Sequence, residues 1–487
     1  MSRAIGTLVR WFSLTMSVPA LVAIGYDEPA TPFVVPMVGG TALGLALERL
    51  RGSTRTIGVR EGFAVVALGW LVVAGIASVP YILDGGDASR PVDAFFEGMS
   101  GITATGSSVL VDIPGHDRAL LFWRALTQWI GGMGIVVLAI AILPGLSVGG
   151  RGLAERETSG HDYQKLLPRA RDSAARLWLL YLALSFAAFV AFGFLGVTGI
   201  EPRIGTYDAI TTAMTTVAAG GFSTEARSFE AFGAAAQWVA IVFMSLVGVS
   251  FVLWYRSLFR SRRAPLRDEE LRLYVALLAV GGVLLAVVLY AEGRYDGAAS
   301  LRHGLFQSAS AITGTGYASV DFAGWSSVAL AILLLLMFAG GCAGSVAGGL
   351  KIARVLLVGR LVKREVRLTV HRQQQVPIRL SGRIVSEPVL RAVVLYVVLY
   401  LGLFAVGSIA LAADAALRGT PVGLDEAISA SAATLGNVGP AFGAAGPMGS
   451  FAGYGDPGKV IMALLMWAGR LELLPVIVIM SRAYWRR

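Results

Sequence analysis

Cysteine, histidine and charged side chains are scarce in this 487-residue sequence. The single cysteine, Cys342, excludes an intramolecular disulfide and a cysteine-based zinc site. The four histidines show no ligand spacing, since they are scattered along the chain as His116, His161, His303 and His371. Charged residues make up only 15% of the chain, against roughly 25% in soluble domains. A soluble enzyme of this length is therefore excluded.

Apolar residues and glycine are abundant instead. Hydrophobic residues make up 55% of the chain, the mean hydropathy is +0.69, and 60 residues are glycine. Membrane helices tolerate glycine where backbones must approach closely or break. Because about 20 apolar residues cross a bilayer, the sequence predicts a polytopic membrane protein with ten spans, near residues 4–25, 31–49, 62–83, 117–145, 174–199, 233–259, 271–292, 326–361, 389–413 and 457–481.

The net charge of +10 has an uneven distribution along the chain. Arginine and lysine lie in short segments between the apolar stretches, which is typical of loops held on the cytoplasmic side. This pattern favours a membrane topology over binding of nucleic acid. The first apolar stretch lacks a clear cleavage site, so we predict that it is a retained helix. Ten spans place both termini on one side, and the basic C-terminus predicts that this side is the cytoplasm.

Four of the segments that then face outward, 84–116, 200–232, 293–325 and 414–456, share a repeat. Aligned on one glycine, they contain DAFFEGMSGITATGSS, DAITTAMTTVAAGGFS, HGLFQSASAITGTGYA and EAISASAATLGNVGPA. The aligned glycines are Gly106, Gly221, Gly316 and Gly439. The repeat predicts a unit of outer helix, short pore helix, extended strand and inner helix, four times over.

The first residue of three repeat copies is acidic: Asp93, Asp208 and Glu426. A carboxylate is favoured at the start of a helix, where the backbone N–H groups are unpaired. These residues are therefore predicted to begin the pore helices. His303 occupies the corresponding position in the third copy and suits it less well.

Short helices that stop inside the membrane leave backbone polar groups unpaired, which lipid does not tolerate. Four copies around an axis solve this problem, because carbonyl groups turned towards a pore can replace the hydration shell of a cation. The strands carry no charged side chain, so selectivity must come from backbone and hydroxyl oxygens, with hydroxyl ligands available from Thr103, Thr105, Thr313 and Thr315. The alternative is a set of glycine loops used only for packing.

Six sequence motifs in order carry a resemblance to the Trk/Ktr/HKT superfamily of potassium transporters, and to its TrkH type. They are FFEGMSGITATGSSVL (95–110), LLFWRALTQWIGGMGIVVLAIAILP (120–144), TTVAAGGFST (215–224), FAGGCAGSVAGGLK (338–351), LGNVGPAFG (435–443) and AGRLELLPV (468–476). The two additional N-terminal helices favour the TrkH type over the shorter Ktr type. With them, the expected domains are an extension at 1–55 and pore repeats at 56–165, 166–265, 266–385 and 386–487.

The resemblance implies a gated potassium pathway with a pseudo-fourfold pore, in a homodimer in the cell inner membrane. K⁺ is the transported ion, and no organic cofactor is expected in this chain. The implied filter residues are Thr103, Ala104, Thr105 and Gly106; Val217, Ala218, Ala219, Gly220 and Gly221; Ile312, Thr313, Gly314, Thr315 and Gly316; and Leu435, Gly436, Asn437, Val438 and Gly439. Family members with serine at the first key glycine tend to admit sodium, so Gly106 favours potassium. Two neighbouring glycines leave the register of the second filter open, and Pro440 makes the four filters non-equivalent.

The glycine-rich stretch 338–351 has two interpretations. Gly340, Gly344 and Gly348 lie at the spacing of a helix-packing face. Five glycines in ten residues should nevertheless break or loosen the span, because each costs about 1 kcal/mol relative to alanine in a helix. The resemblance implies an intramembrane gating loop here, formed by Gly340, Gly341, Gly344, Ser345, Gly348 and Gly349.

Arg470 is an ionisable residue inside an apolar run and is therefore a functional candidate. The resemblance implies that it faces the gating loop and adds an electrostatic barrier, whereas the alternative is a local ion pair with Glu472. Lys351 is expected to extend to the cytoplasmic surface. Arg124 and Gln128 are expected to be structural partners of the pore helices.

Two other functional classes remain to be weighed. A proton- or sodium-coupled symporter usually needs carboxylates or histidines within the membrane, and Glu472 is the main candidate for one. A membrane enzyme lacks a group of nucleophile, base and metal ligands. The resemblance also implies a cytosolic TrkA-like regulatory subunit with nucleotide-binding domains, docked on the basic inner loops, and contact with membrane lipid.

Overall fold

The structure of the protein, a computed structural model, describes residues 2–50, 59–146, 163–259, 265–371, 374, 376–419 and 422–485. Within these ranges the chain forms nineteen α-helices and one short β-hairpin. The predicted all-helical membrane fold is therefore confirmed. Three helices precede the first repeat: α1 (Ser2–Leu14), α2 (Ser17–Gly25) and α3 (Thr31–Arg49).

Four repeats of outer helix, pore helix and inner helix follow. The outer helices are α4 (Val59–Asp84), α7 (Tyr163–Val197), α11 (Glu269–Ala291) and α15 (Glu387–Arg418). The pore helices are α5 (Pro91–Ile102), α8 (Thr206–Val217), α12 (Gly297–Thr313) and α16 (Leu424–Leu435). The inner helices are α6 (Arg118–Leu146), α9 with α10 (Ala234–Val247, Phe251–Phe259), α13 with α14 (Ser327–Ala339, Ile352–Val370) and α17 with α18 (Asp456–Arg470, Leu474–Met480).

The remaining elements are small. A hairpin of β1 (Arg379–Leu380) and β2 (Arg383–Ile384) lies between α14 and α15, with Arg379 opposite Ile384. Helix α19 (Arg482–Trp485) ends the described chain. Short 3-10 turns lie at Ile113–Gly115, Ser228–Ala231, Pro265–Arg267, Gly443–Ala445 and Phe451–Gly453.

The packing of the pore helices closes the four repeats into a ring. Each pore helix packs between the outer helix of its own repeat and the inner helix of the preceding repeat. Thus α8 contacts α7 and α6, α12 contacts α11 and α9, α16 contacts α15 and α13, and α5 contacts α4 and α17. The last pair joins repeat 1 to repeat 4, so the predicted pseudo-fourfold arrangement is confirmed.

The outer surface of this ring is apolar. Along the long outer helix α15, Leu395, Val398 and Ile409 are 53%, 60% and 68% exposed. The pore helix α5 is the opposite case, since nine of its twelve residues are buried. Exposed apolar helices around a buried set of short helices are what a lipid environment requires.

The predicted spans agree with the structure in part. Among the described residues, six helices are long and apolar enough to cross a membrane: Ser2–Gly25, Thr31–Arg49, Glu61–Asp84, Ala174–Val197, Glu269–Ala291 and Glu387–Arg418. The span predicted at 117–145 is the 29-residue helix α6. The span at 233–259 is bent by 90° between α9 and α10.

Two predicted spans, 326–361 and 457–481, are wrong as continuous helices. The first stops at Ala339 and resumes at Ile352, so the expected break at the glycine-rich stretch is confirmed. The second stops at Arg470, and Glu472 and Leu473 then take positive φ angles of 57° each. Both interruptions lie on the inner helices, where irregular backbone is covered by protein.

Candidate ion pathway

Three pore helices begin at the carboxylates predicted from the sequence. Asp93, Asp208 and Glu426 each occupy the third position of their helix. The third repeat differs, because its pore helix begins six residues before His303. The carboxylate of Asp296 caps that helix by accepting the backbone N–H of Ala299 at 2.7 Å. His303 therefore lies within the helix, and its expected place at the helix start is wrong.

The four strands after the pore helices share one backbone conformation. The aligned glycines have φ angles of 89° at Gly106, 80° at Gly221, 77° at Gly316 and 110° at Gly439. Two residues earlier, φ is again positive, at 49° for Ala104, 51° for Ala219, 70° for Gly314 and 52° for Asn437. L-residues rarely adopt positive φ. Two positive φ angles at matching positions in all four repeats therefore indicate that the four strands share one unusual backbone conformation. It also identifies Gly221, and not Gly220, as the key glycine of the second strand.

Each key glycine packs against the strand of the next repeat. The facing atom is always the carbonyl oxygen of the residue before the next key glycine. A Cβ atom added to the glycine would lie very close to this oxygen. The distances are 2.3 Å from Gly106 to the Gly220 oxygen, 2.0 Å from Gly221 to the Thr315 oxygen, 1.9 Å from Gly316 to the Val438 oxygen, and 2.8 Å from Gly439 to the Thr105 oxygen. The last contact returns from repeat 4 to repeat 1. The four strands thus form a closed ring in which any side chain on a key glycine would displace a carbonyl group.

The threonine hydroxyls of the strands hydrogen bond within the protein. Thr103 Oγ1 donates to the carbonyl of Met99 at 2.6 Å and lies 2.7 Å from Thr105 Oγ1. Thr313 and Thr315 form the same hydroxyl pair at 2.7 Å. These contacts attach the strand to the end of its pore helix, and they therefore restrain the backbone that carries the carbonyl groups of the ring.

A buried ion pair supports the first strand. Glu97 in the pore helix and Arg124 in the inner helix are 0% and 1% exposed, and Arg124 Nε lies 2.9 Å from Glu97 Oε1. The second carboxylate oxygen accepts the backbone N–H of Val109 at 3.0 Å. Gln128 extends the same support to repeat 2, donating from Nε2 to the Gly220 carbonyl at 2.5 Å. The predicted structural roles of Arg124 and Gln128 agree with these contacts.

Side chains also link the first and fourth strands directly: Ser107 Oγ donates to the Gly439 carbonyl at 2.8 Å, and Asn437 reaches back to the first strand. Asn437 occupies the position of Ala104, Ala219 and Gly314 in the other repeats, and it is 1% exposed. Its Nδ2 donates to Thr105 Oγ1 at 2.9 Å and to the Met466 carbonyl at 3.0 Å. The ring is therefore similar in backbone but unequal in its supports, as the differing sequences of the strands predict.

Below the ring, residues 340–351 form an irregular loop between α13 and α14, which we call the gate loop. Positive φ angles of 72°, 77° and 75° at Gly340, Gly344 and Gly349 explain its glycine content. The loop contacts the fourth strand, because the Gly349 N–H donates to the Gly436 carbonyl at 3.1 Å. It therefore lies directly beneath the ring of carbonyl groups.

The gate loop also meets the bend in the inner helix of repeat 2. The Cys342 N–H donates to the carbonyl of Gly248 at 2.9 Å, and the Phe251 N–H donates to the carbonyl of Gly344 at 3.0 Å. These reciprocal bonds satisfy backbone groups that both interrupted helices leave unpaired.

Arg470 faces the gate loop, in agreement with the prediction. It is 3% exposed and donates from Nη1 to the Val346 carbonyl at 2.9 Å. In the part of the chain that the structure describes, its Nε and Nη2 have no hydrogen-bond partner. A buried guanidinium that keeps free donors beside the loop places positive charge under the ring.

One further expectation for this region is wrong, and the alternative for Arg470 is not observed. Lys351 does not extend to the surface: it is 6% exposed, and its ammonium group donates to the carbonyl of Ala347 within the gate loop. Arg470 does not pair locally with Glu472. The carboxylate of Glu472 instead contacts Arg354 at 2.5 Å, and Arg354 stacks over the ring of Tyr396 at 3.9 Å. Helix α17 ends at Arg470, and Glu472 lies in the irregular turn after it, with a φ of 57°.

Comparison with known proteins decides the family. A family model described as cation transport protein, TrkH, matches residues 40–487. This chain belongs to the TrkH family. The Trk system potassium uptake protein TrkH of Salmonella typhimurium is 34% identical over 100% of this chain and 99% of its own length. The potassium uptake protein TrkG of Escherichia coli is also 34% identical, over 99% of this chain and 97% of its own length.

The fold agrees with that of a solved TrkH. The crystal structure of the potassium transporter TrkH from Vibrio parahaemolyticus has a TM-score of 0.89 to this chain. The sequences are 31% identical, and the match covers 100% of this chain and 99% of the other. The curated relatives are named as transport proteins, which agrees with the expectation that this multi-pass membrane protein is not an enzyme.

Sequence reasoning missed several residues of this TrkH-family pathway. Asp296 could have been found as an aspartate directly before a helical pattern, which is a helix-start signal. Glu97 could have been found as a carboxylate inside a predicted membrane-embedded helix. Glu270, which contacts the gate loop, gives no such signal, because acidic residues are ordinary in the first turn of a helix.

An acidic cavity of about 330 Å³ that the sequence did not predict lies between the end of α4 and the start of α6. It is lined by Asp84, Asp87, Asp112, His116 and Asp117, together with backbone of the glycine turns. His116 Nδ1 lies 3.6 Å from Asp84 Oδ2. The proximity of this carboxylate raises the pKa of His116 above its usual value, against the opposing effect of burial. Among the described residues, no group of acidic, histidine or cysteine side chains has the arrangement of a metal site.

Proposed function

We propose that this chain is the membrane subunit of a potassium-uptake system and that K⁺ crosses between its four filter strands. The proposal is carried by one observation, the closed ring in which each key glycine packs on a carbonyl of the next repeat. It is supported by the names of full-length relatives, which are Trk system potassium uptake proteins.

Selectivity comes from backbone carbonyl groups that replace the hydration shell of the ion. Positive φ at alternate residues lets successive carbonyls of one strand turn towards the axis, which an ordinary extended strand would not allow. The hydroxyl pairs and the buried Glu97–Arg124 pair hold the strands from behind. The glycine at position 106 favours K⁺ over Na⁺.

The gate loop closes the pathway beneath the filter, and Arg470 adds a fixed positive charge there. A cation passing within ~4 Å of this guanidinium would meet a repulsion of about 4 kcal/mol at an effective dielectric constant of 20. Displacing the loop and the arginine together would therefore open the pathway. The hydrogen bond between the Val346 carbonyl and Arg470 supports the view that the two act as one constriction.

A cytosolic TrkA-like subunit with nucleotide-binding domains would control this gate from the basic inner loops. The words "Trk system" in the names of the relatives support a multi-component assembly. We further propose that the chain works as a homodimer in the cell inner membrane, with both termini in the cytoplasm.

The alternative is a proton- or sodium-coupled symporter, and the two carboxylates that pair with arginines, Glu472 and Glu97, favour it less. Coupling requires a carboxylate that can exchange ions or protons within the membrane. Glu472 is paired with Arg354, and Glu97 is paired with Arg124. A carboxylate held in a buried ion pair is a poor carrier because removing its charge leaves the partner cation unpaired.

Flux measurements in liposomes test both proposals. The purified full-length chain should carry K⁺ in preference to Na⁺, and the addition of its regulatory subunit should change the flux. The reversal potential should follow the K⁺ gradient alone. A shift of the reversal potential when only a proton or sodium gradient is imposed would favour the symporter, and equal fluxes of K⁺ and Na⁺ would contradict the filter assignment.

A further inference from the structure

Glu270 is a carboxylate that holds the gate loop and that the pathway described above does not use. It is the second residue of outer helix α11. A single oxygen, Oε1, accepts the backbone N–H of Ala343 at 2.5 Å and the backbone N–H of Ala353 at 3.2 Å. Ala343 lies inside the gate loop, and Ala353 lies in the first turn of α14. One atom therefore joins the loop to the helix that follows it.

The loop needs such an acceptor because its backbone is neither helix nor strand. Ala353 is buried, and a buried N–H group without a partner destabilises a protein. Ala343 is exposed, so there the carboxylate takes the place of a water acceptor. The bonds from Cys342 to Gly248 and from Gly349 to Gly436 are neutral backbone pairs. Glu270 differs from them, because a carboxylate acceptor makes hydrogen bonds roughly twice as strong as neutral ones.

Ala353 also belongs to a helix start that lacks its own cap. Lys351 precedes α14 with a φ of 71°, and its side chain makes no capping bond to that helix. Glu270 supplies the missing acceptor from another helix, and a negative charge is favourable at a helix N-terminus. Movement of α11 relative to α14 would break both bonds together, since one oxygen accepts both.

The neighbouring acid, Glu269, has separate partners. Its Oε2 accepts the N–H of Ser381 in the hairpin at 2.8 Å and lies 2.9 Å from Arg360 Nη2 in α14. It makes no contact with residues 340–351 among the hydrogen bonds and ion pairs of the described chain. Glu269 and Glu270 thus share charge, helix position and sequence neighbourhood, but only Glu270 bonds to the gate loop.

We propose that Glu270 is a positioning residue that latches the gate loop in its closed arrangement. The inference rests on the proposed gating function and deepens it, since it names a residue that holds the loop without lying in the path of the ion. Loss of the latch frees the N–H groups of Ala343 and Ala353 and lets the loop leave the space beneath the filter more often.

Cys342 reports on the latch directly. It is the only cysteine of the chain, it is 1% exposed, and it precedes Ala343, whose N–H the latch binds. The rate at which a water-soluble maleimide modifies the thiol measures how often this part of the loop opens, and Glu270→Gln controls for the effect of the lost carboxylate charge on the thiolate. The wild-type chain serves as the parent without further substitution.

The experiment compares Glu270→Ala, Glu270→Gln and the matched control Glu269→Ala in purified full-length protein without the regulatory subunit. We expect Glu270→Ala to raise the rate of Cys342 modification about tenfold or more. Glu270→Gln keeps an oxygen acceptor but loses the charge, so its rate should lie between those of wild type and Glu270→Ala. In Glu269→Ala, Cys342 should be modified at the wild-type rate.

K⁺ flux in liposomes gives the second measurement. Glu270→Ala should raise the basal flux while the ratio of K⁺ to Na⁺ flux stays at the wild-type value, because the filter is untouched. A wild-type modification rate in Glu270→Ala, or an equal increase in Glu269→Ala, would overturn the latch. Failure of both Glu270 variants to fold would also overturn it, since Glu270 would then be a residue of the fold alone.

The two measurements separate the latch from the gate. If the thiol becomes accessible in Glu270→Ala but flux stays at the wild-type value, the latch stands and the gating role of the loop fails. If a deletion within residues 343–347 raises flux while Glu270→Ala changes neither measurement, the gate stands and the latch fails.

Discussion

The closed ring of four strands, which we propose as the filter, and the gate loop are both irregular, glycine-rich backbone, but the protein holds them in different ways. The filter is built four times, and each strand packs on the next through the same glycine–carbonyl contact. The gate loop is built once, and its contacts come from unlike elements: a helix bend, a filter carbonyl, Arg470 and Glu270. A ring of repeated contacts resists movement because each strand restrains the next. A loop held by separate bonds can move when a few of them break.

The charged side chains that contact the two regions also differ in how completely they are bonded. Behind the filter, the Glu97–Arg124 pair is almost completely buried and makes further bonds to Ser108 and to the Ser223 carbonyl. At the gate loop, Arg470 keeps two unbonded nitrogens among the described residues. We therefore expect substitutions behind the filter to affect folding and substitutions at the loop to affect flux.

The largest effect on stability is expected from Arg124→Met. Removing one member of a buried ion pair leaves the other charge uncompensated, which costs about 3–5 kcal/mol. Thermal unfolding of the protein in detergent measures the loss. The control is Arg90→Ala, which breaks an exposed pair with Asp456 and should cost less than about 1 kcal/mol. Equal losses in the two variants would contradict a special role for the buried pair.

The next largest effect is expected from serine substitution of the key glycines, and it concerns the discrimination between K⁺ and Na⁺. An added Cβ would lie 1.9 Å from the facing carbonyl oxygen at Gly316 and 2.8 Å at Gly439. Displacing one carbonyl ligand costs roughly 1–3 kcal/mol, or about tenfold to a hundredfold in discrimination. We expect Gly316→Ser to lose more K⁺ over Na⁺ discrimination than Gly439→Ser, as measured by relative fluxes in liposomes.

Gly324→Ser is the matched control for this series. It follows the same strand, and an added Cβ there would meet nothing within 4 Å. Its discrimination should stay at the wild-type value. If Gly316→Ser and Gly106→Ser also kept wild-type discrimination while remaining folded, the ring would not be the filter.

Removal of the positive charge below the filter should have an intermediate effect. Arg470→Ala is expected to raise basal K⁺ flux about tenfold, since a barrier lower by about 1.4 kcal/mol has this result. The selectivity should not change. Arg482→Ala, at an exposed arginine near the C-terminus, should leave the flux unaltered. A wild-type flux in Arg470→Ala would make Arg470 a structural residue and would favour the packing interpretation of the glycine-rich stretch.

The smallest effect is a pH-dependent change in stability, expected at the acidic cavity of repeat 1. The neighbouring Asp84 carboxylate raises the pKa of His116 in the folded protein. A raised pKa means that protonated His116 stabilises the fold fully below its unfolded pKa of about 6.5, and that this contribution disappears as the pH rises through the folded value. The melting temperature of wild type should therefore exceed that of His116→Gln at pH 6, with a smaller gap at pH 8.5.

The expected size of this effect is below about 1 kcal/mol, as for other partly exposed ion pairs. The Gln variant should carry the same basal flux as wild type, because no residue that lines the cavity belongs to the gate loop or to the four strands of the ring. A gap in melting temperature that grows with pH would contradict the sign of the pKa change.

Much of the fold follows from the sequence pattern alone. The four aligned segments predict the pore helices, because short amphipathic stretches between long apolar ones repeat at matching positions. The break at 340–349 is also predictable, since the helix cost of clustered glycine is local. The position of His303 within its helix and the register at Gly220 and Gly221 could not be predicted from the sequence pattern. A helix start depends on which carboxylate reaches a free N–H, and a register depends on φ, which adjacent glycines leave open.

The sequence by itself determined that this is a polytopic membrane protein with a fourfold repeat, because composition and periodicity are properties of the chain. The resemblance added the TrkH type. Only the tertiary structure decided which carbonyl faces each key glycine, that Lys351 is buried, that Glu472 pairs with Arg354, and that Glu270 binds the gate loop. The physical reason is that these contacts join residues far apart in sequence, across helix interruptions whose direction local pattern does not set. Glu270 and Ala343 are 73 residues apart, and only the ring of repeats brings them together.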